Sequence, residues 1–286
     1  MTYFINLRAT SSGGIEAPDA HLWTELGQIT ASNADAEFTN AVRGRNLVLV
    51  THGFNVDQQD GLSSISGWSK ACQFPASALF VGVLWPGDSA FFPVLDYPVE
   101  GREAMRSAHL LGRYLNANAD GAASISFVSH SLGARVVLET ISRLKRDRVR
   151  RLVLMAGAIE DDCLSNEYKE TAKRVDQIHV IASRSDWVLE FAFPIGNPVG
   201  EIIMHGHPYF RTALGRAGPA NGIPAELRGD CCQIPDHLGY GHGNYLPDKD
   251  ISPLSPPVTC TFDPNLLRQQ DWEPRWSASI VSQQME

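Results

Sequence analysis

The chain has 286 residues, 43% of them hydrophobic, and a formal net charge of −8 from 32 acidic and 24 basic residues. That is enough apolar material for one large core or two small ones, and an acidic chain without a dominant basic cluster makes a poor nucleic-acid binder. No run approaches the roughly 18 consecutive apolar residues of a membrane span, and the opening Met-Thr-Tyr-Phe-Ile-Asn-Leu-Arg lacks the charged leader and apolar stretch of a secretory signal, so a soluble, cytoplasmic protein is expected.

In chain order, Tyr3–Arg8 reads as an additional edge strand. Asn46–Thr51 is almost unbroken in its apolar character, as in a strand buried on both faces. Leu62–Cys72 reads as a helix and Ala78–Trp85 as a second buried strand. Val99–Leu115 carries Met105, His109, Leu110 and Tyr114 at helical spacing and reads as a long helix. A third strand starts at Ser124 and runs into Ser129-His130-Ser131-Leu132-Gly133, with a helix-forming segment, Ala134 to Leu144, directly behind it. Arg146, Arg148, Arg150 and Arg151 read as a solvated helix end. Arg151–Met155, Gln177–Ala182 and Gly229–Pro235 complete the strands. This alternation predicts an α/β fold, a mostly parallel central sheet with helices on both faces. No linker cuts the chain, so one domain over residues 1–286 is expected. Its core spans about 44–245, the Gly- and Pro-rich stretch 194–228 is a candidate mouth segment or partial lid, and 252–286 is a C-terminal extension. The five cysteines, Cys72, Cys163, Cys231, Cys232 and Cys260, are odd in number and contain no Cys-x-x-Cys pair, so they read as reduced thiols.

The strand, sharp turn and helix around Ser131 form the context of a nucleophile elbow, in which a strained serine lifts its Oγ off the end of a sheet. Small neighbours are required where strand and helix approach, and Gly133 and Ser129 supply them. His52-Gly53-Phe54-Asn55 leaves the first buried strand, and ligands of parallel sheets bind at the carboxyl ends of the strands. The N–H groups of Phe54 and Leu132 are therefore candidate donors to a developing oxyanion, with His52 holding the turn.

A serine hydroxyl needs a base, and the base needs an orienting carboxylate. Asp186 follows the Gln177–Ala182 strand in a short polar loop; Asp161 and Asp162, past the preceding strand, are its rivals. For the base, His242 lies in Gly239-Tyr240-Gly241-His242-Gly243-Asn244-Tyr245, where flanking glycines leave it free to swing toward the serine. His237, His205 and His207 are the other downstream histidines. His130 points away from Oγ in a tight elbow and is assigned to packing or hydrogen bonding behind the turn. His205-Gly-His207 lacks the ligands that would complete a metal site, so no metal and no cofactor are expected.

Five motifs in this order resemble the poorly characterised esterase/lipase-like branch of the α/β-hydrolase superfamily. They are His52-Gly53-Phe54-Asn55-Val56, Trp85-Pro86-Gly87-Asp88, Ser129-His130-Ser131-Leu132-Gly133, Ser183-Arg184-Ser185-Asp186 and Gly241-His242-Gly243. The chain departs from that branch at Gly87 and Gly243, where serine is usual, and at Ser129, where alanine is usual. The resemblance implies Ser131 as nucleophile, Asp186 over Asp161 and Asp162 as acid, and His242 over His237 as base.

The expected activity is hydrolysis of a small-molecule carboxylic ester through an acyl-enzyme. A thioesterase, amidase or acyltransferase would share the same triad, and a hydrolase fold kept as a non-catalytic binding module is a third reading. Trp85, Phe91 and Trp187 are candidate pocket residues, Phe191 and Phe193 could also face the cleft, and Tyr209-Phe210 is a candidate partial lid.

Overall fold

A computed structural model describes residues 2–8, 20–24, 27–28, 34–54, 56–72, 74–87, 97–191, 193 and 211–245. In chain order these form β1 (Tyr3–Asn6), β2 (His21–Thr24), β3 (Gly27–Gln28), α1 (Ala34–Val42), β4 (Asn46–Thr51), α2 (Gln58–Ala71), β5 (Ala78–Leu84), α3 (Tyr97–Asn118), β6 (Ser124–His130), α4 (Gly133–Arg143), β7 (Val149–Met155), α5 (Lys169–Ala172), β8 (Val175–Ser183), the helical residues 187–191 (α6) and β9 (Gly229–Ile234). The strands build a nine-stranded sheet in the order β3-β2-β1-β5-β4-β6-β7-β8-β9. From β1 to β9 all neighbours are parallel; β2 and β3 add antiparallel at one edge.

The first strand is therefore not an edge, contrary to the sequence reading. It pairs with β5 on one side and β2 on the other, and Phe4, Ile5 and Leu7 are fully buried. The β2–β3 hairpin covers the edge that β1 would otherwise expose. That hairpin and α1 had no counterpart among the expected elements.

The step from β4 through α2 to β5 runs one way along the sheet. The step from β5 through α3 to β6 runs back past β4, and β7 and β8 continue in that direction. Right-handed crossovers then put α2 on one face and α3, α4 and α5 on the other. The side chains agree: Phe4, Phe80 and Leu84 meet Leu62 and Ile65 of α2, whereas Ile5, Val81 and Val83 join the larger core. Nearly every residue of α4 is buried, from Gly133 through Leu138 and again at Thr140 and Ile141, and each fully buried Val, Leu or Ile contributes about 1.5–3 kcal/mol. The elbow is thus seated on a helix that has little room to shift.

The order reverses between β4 and β6, which lie side by side in register, Thr51 opposite Ser129. Helices leave these two strands toward opposite faces, which opens a crevice at their carboxyl ends. Residues 52–54 and 131–132 border it.

Candidate active site

Two residues carry the chain from the end of β6 at His130 to the start of α4 at Gly133. Ser131 has φ 55°, a left-handed conformation that costs an L-residue about 1–3 kcal/mol. Local bonds hold it there. The Ser131 N–H donates to the Met155 carbonyl (3.0 Å), and the Ser131 carbonyl accepts from the N–H groups of Ala134 (3.1 Å) and Ala158 (3.1 Å). Two glycines permit the approach of the neighbouring turn. A Cβ on Gly133 would lie 2.5 Å from the His52 carbonyl oxygen, and one on Gly53 would lie 2.7 Å from Ser131 Cβ.

The turn after β4 is braced from behind. His52 Nδ1–H donates to the Gly53 carbonyl (2.8 Å), and its Nε2 accepts from the Trp85 N–H (3.3 Å). The Trp85 indole Nε1–H donates to the His52 carbonyl (2.9 Å), and the two rings stack at 5.7 Å. Arg8, itself 8% exposed, donates from Nη1 to the carbonyls of Trp85 (2.9 Å) and Val56 (3.3 Å). Trp85 is fully buried, so it serves as a brace for this turn rather than as the pocket wall anticipated from its position. Among the described residues, neither the Phe54 N–H nor the Leu132 N–H has an acceptor, whereas the N–H of Ser131 is already engaged.

Three residues singled out in the sequence meet at the crevice. Ser131 Oγ donates to His242 Nε2 at 2.9 Å, and His242 Nδ1–H donates to Asp186 Oδ2 at 2.7 Å. A carboxylate can only accept, so this bond fixes the Nδ1–H tautomer and leaves Nε2 as the acceptor facing the serine. Asp186 is fully buried; its other oxygen accepts the Leu189 N–H (3.0 Å) and caps α6. The His242 turn is not loose, despite its glycines. Gly241 N–H donates to Asn244 Oδ1 (2.9 Å), Asn244 N–H to the Gly241 carbonyl (3.1 Å), and Tyr240 Oη–H to the Asn244 carbonyl (2.7 Å). Tyr245 is buried edge-on against Tyr240, with ring centroids 4.8 Å apart.

The rivals lie elsewhere. Asp161 and Asp162 pair with Arg211 at 3.6 and 3.1 Å, and His237 is exposed in the turn Asp236–Leu238. Trp187 and Phe191 project from α6 into solvent, 65% and 62% exposed, and Phe193 is buried. Residues 211–217 of the candidate mouth segment are anchored to the body: Ala213 and Leu214 are fully buried, and the Leu214 N–H donates to the Ile159 carbonyl (2.7 Å). Phe91, His205, His207, Tyr209, Phe210, Cys260 and the 252–286 extension lie outside the described residues.

His130, expected to pack or hydrogen-bond behind the turn, does both against the His242 loop. Its Nε2–H donates to the His242 carbonyl at 2.9 Å, and its ring lies 4.8 Å from the His242 ring. Burial, with the neighbouring His242 as a second cause, pushes the His130 imidazole down to about 3, so it stays neutral.

The sequence profile of the family described as "Alpha/beta hydrolase of unknown function (DUF900)" matches residues 30–236. The chain belongs to this family. Among solved structures, this α/β hydrolase is similar to esterase PE8 (19% identity over 70% of this chain and 86% of that one, TM-score 0.39). It is also similar to a carboxylesterase from Mesorhizobium loti (16%, 86% and 91%, TM-score 0.38) and to a hyperthermophilic esterase from the archaeon Pyrobaculum calidifontis (12%, 85% and 77%, TM-score 0.40). No curated protein sequence matches it.

A cleft of about 640 Å³ opens at the other rim of the α/β hydrolase, where β7, β8 and β9 begin, far from Ser131. Two of its cations sit in surface ion pairs, Arg148 with Asp176 and Lys173 with Glu170. The chemistry-bearing groups sit at the carboxyl rim, and that rim has the stronger claim as the site. Among the described residues, no group of three His, Cys, Asp or Glu is placed to hold a metal ion, and no helix is long and apolar enough to cross a membrane.

Proposed function

We propose that this α/β hydrolase cleaves carboxylic esters of small molecules by a Ser131–His242–Asp186 triad, and that residues 1–286 work as one domain. The observation that carries the reading is the unbroken relay from Ser131 Oγ to His242 Nε2 (2.9 Å) and from His242 Nδ1 to Asp186 Oδ2 (2.7 Å). In this reading His242 takes the Ser131 proton as Oγ adds to the ester carbonyl. Asp186 holds the tautomer and stabilises the imidazolium without taking the proton. The tetrahedral oxyanion is received by the N–H groups of Phe54 and Leu132, and a single such donor is typically worth about 2.7–4 kcal/mol of barrier. As the intermediate collapses, His242 returns the proton to the departing alkoxide and leaves an acyl-Ser131. Water, deprotonated by the same imidazole, then releases the acid and restores the serine.

Supporting features are the strained φ of Ser131, its seat at the reversal of strand order and the orientation of His242 Nε2 toward Ser131. The exposed Trp187 and Phe191 next to the acid loop are suited to an apolar acyl or alcohol group. The test is a serine-directed phosphonate followed by peptide mapping, together with oxygen-ester, thioester and amide versions of one acyl chain. A single adduct on Ser131 with fastest turnover of the oxygen ester is expected. A folded protein that never reacts would leave the fold as a binding module, and faster thioester or amide cleavage would reassign the substrate class.

A further inference from the structure

His242 stands in a short turn between two glycines, 111 residues from the serine that it meets. Asp186 fixes the ring at Nδ1 but does not by itself fix where the backbone carrying that ring sits. The contact that joins this backbone to the elbow comes from the residue directly before the nucleophile: His130 Nε2 lies 2.9 Å from the His242 carbonyl oxygen. A carbonyl only accepts, so Nε2 carries the proton and the bond sets the His130 tautomer. The His130 ring also packs 5.9 Å from Tyr245, the buried residue that closes the same turn. On its other side, Nδ1 is buried with no hydrogen-bond partner among the described residues and looks onto Gly53, where an added Cβ would lie 3.0 Å away.

We propose that His130 is a positioning residue that clamps the His242 backbone to the nucleophile elbow through its Nε2–H. The proposal rests on the triad reading above and adds a second point of attachment for the base. Asp186 holds the ring end and His130 holds the main-chain end, so the imidazole is fixed in both tilt and depth. One dipeptide, His130-Ser131, thereby supplies the nucleophile and the gauge for its base. The side chain suits the task because it stays uncharged. A second cation 4.8 Å from the His242 ring would oppose the imidazolium that forms during attack. Reacting groups displaced by about 1 Å commonly lose on the order of 10²-fold in rate, which sets the scale of what the clamp protects.

The test compares wild type with His130→Gln and His130→Phe. The amide nitrogen of Gln reaches about as far as imidazole Nε2, whereas Phe fills the space without a donor. If the Phe variant does not fold, His130→Asn replaces it, because its shorter amide stops short of the carbonyl. Two readouts are taken: the second-order rate of phosphonate labelling at Ser131, and the ¹⁵N-detected tautomer and order of the His242 ring. The proposal expects about a 10–100-fold slower labelling in the Phe variant, a less ordered His242 ring whose Nδ1–H tautomer is still held by Asp186, and recovery of most of the rate and the ring order in the Gln variant. Phe equal to wild type in both readouts overturns the clamp. So does Gln falling as far as Phe, since ring packing rather than the donor would then be at work. Failure of the triad reading looks different: wild type itself does not label, and the ring spectra of the three proteins still decide whether His130 holds His242.

Discussion

At the rim where the strands begin, Arg174 spends its guanidinium on the carbonyls of Ile141 (2.8 Å), Ser142 (3.0 Å), Leu144 (2.6 Å) and Arg146 (2.6 Å), capping the end of α4, where helix carbonyls have no intrahelical donor. Arg146 does the same for Ala122 and Asp120. At the rim where the strands end, the chain holds a serine at φ 55°, two backbone N–H groups with no acceptor among the described residues, and a buried neutral histidine. One rim uses its polar groups to satisfy backbone, and the other uses backbone to aim polar groups. Cost at the second rim is tolerated because α4 and the parallel strands around it are too well packed to relax.

Mutations can break this contrast in order of size. Asp186→Asn keeps the shape of the acid but reverses the tautomer that its partner prefers, and should lower kcat by about 10⁴-fold with little change in melting temperature. Steady-state kinetics and a thermal melt check both halves. Gly133→Ala should cost about 10²-fold in kcat. Alanine is the better helix former by about 1 kcal/mol, but its Cβ would fall 2.5 Å from the His52 carbonyl and push the turn after β4 out of place. A variant that gained stability and kept full kcat would show that the turn tolerates movement.

The pH dependence of stability comes next. The folded His130 sits near 3, below its ordinary 6.5, so above pH 6.5 neither state holds the proton and its contribution is constant. Below that, the unfolded chain binds the proton first and the fold loses stability until the pH reaches the folded value. At pH 4 the loss is on the order of 3 kcal/mol. Urea melts between pH 7 and pH 4 should show this slope in wild type and a shallower one in His130→Gln. Equal slopes would mean that other groups carry the acid sensitivity. Smallest of all, Arg174→Ala should cost about 1 kcal/mol of stability by removing the donor from these partly buried carbonyls, with kcat unchanged apart from the loss of folded protein. A change in kcat on the folded fraction would mean the two rims are coupled through α4.

The parts of the fold legible in the sequence were those set by local chemistry. Asn46–Thr51 carries the unbroken apolar run Leu47–Val50 and Ser124–His130 carries the β-branched and aromatic Ile125, Phe127 and Val128, all buried, and Gly133 marks the elbow because nothing larger fits under the next turn. The β2–β3 hairpin was not legible, because His21–Thr24 and Gly27–Gln28 are too short for periodicity to register. Their place depends on β1, which itself was mistaken for an edge. Trp85 was misplaced for a related reason: an aromatic residue at a strand end reads equally as a pocket wall or a brace, and the indole N–H bond to His52 decides it. The glycines around His242 suggested mobility, but Asn244, Tyr240 and His130 take that freedom away through contacts that no local pattern encodes. His130 is the clearest instance, since its partner lies 112 residues downstream.

The most direct test of the central claim is hydrolysis of p-nitrophenyl esters of increasing acyl length by wild type and Ser131→Ala, measured side by side on protein shown to be folded. The account predicts turnover by wild type and a loss on the order of 10⁶-fold in the variant, with the best chain length reporting the depth of the pocket. Equal activity in the two proteins would contradict it, because the nucleophile would then be some residue other than Ser131.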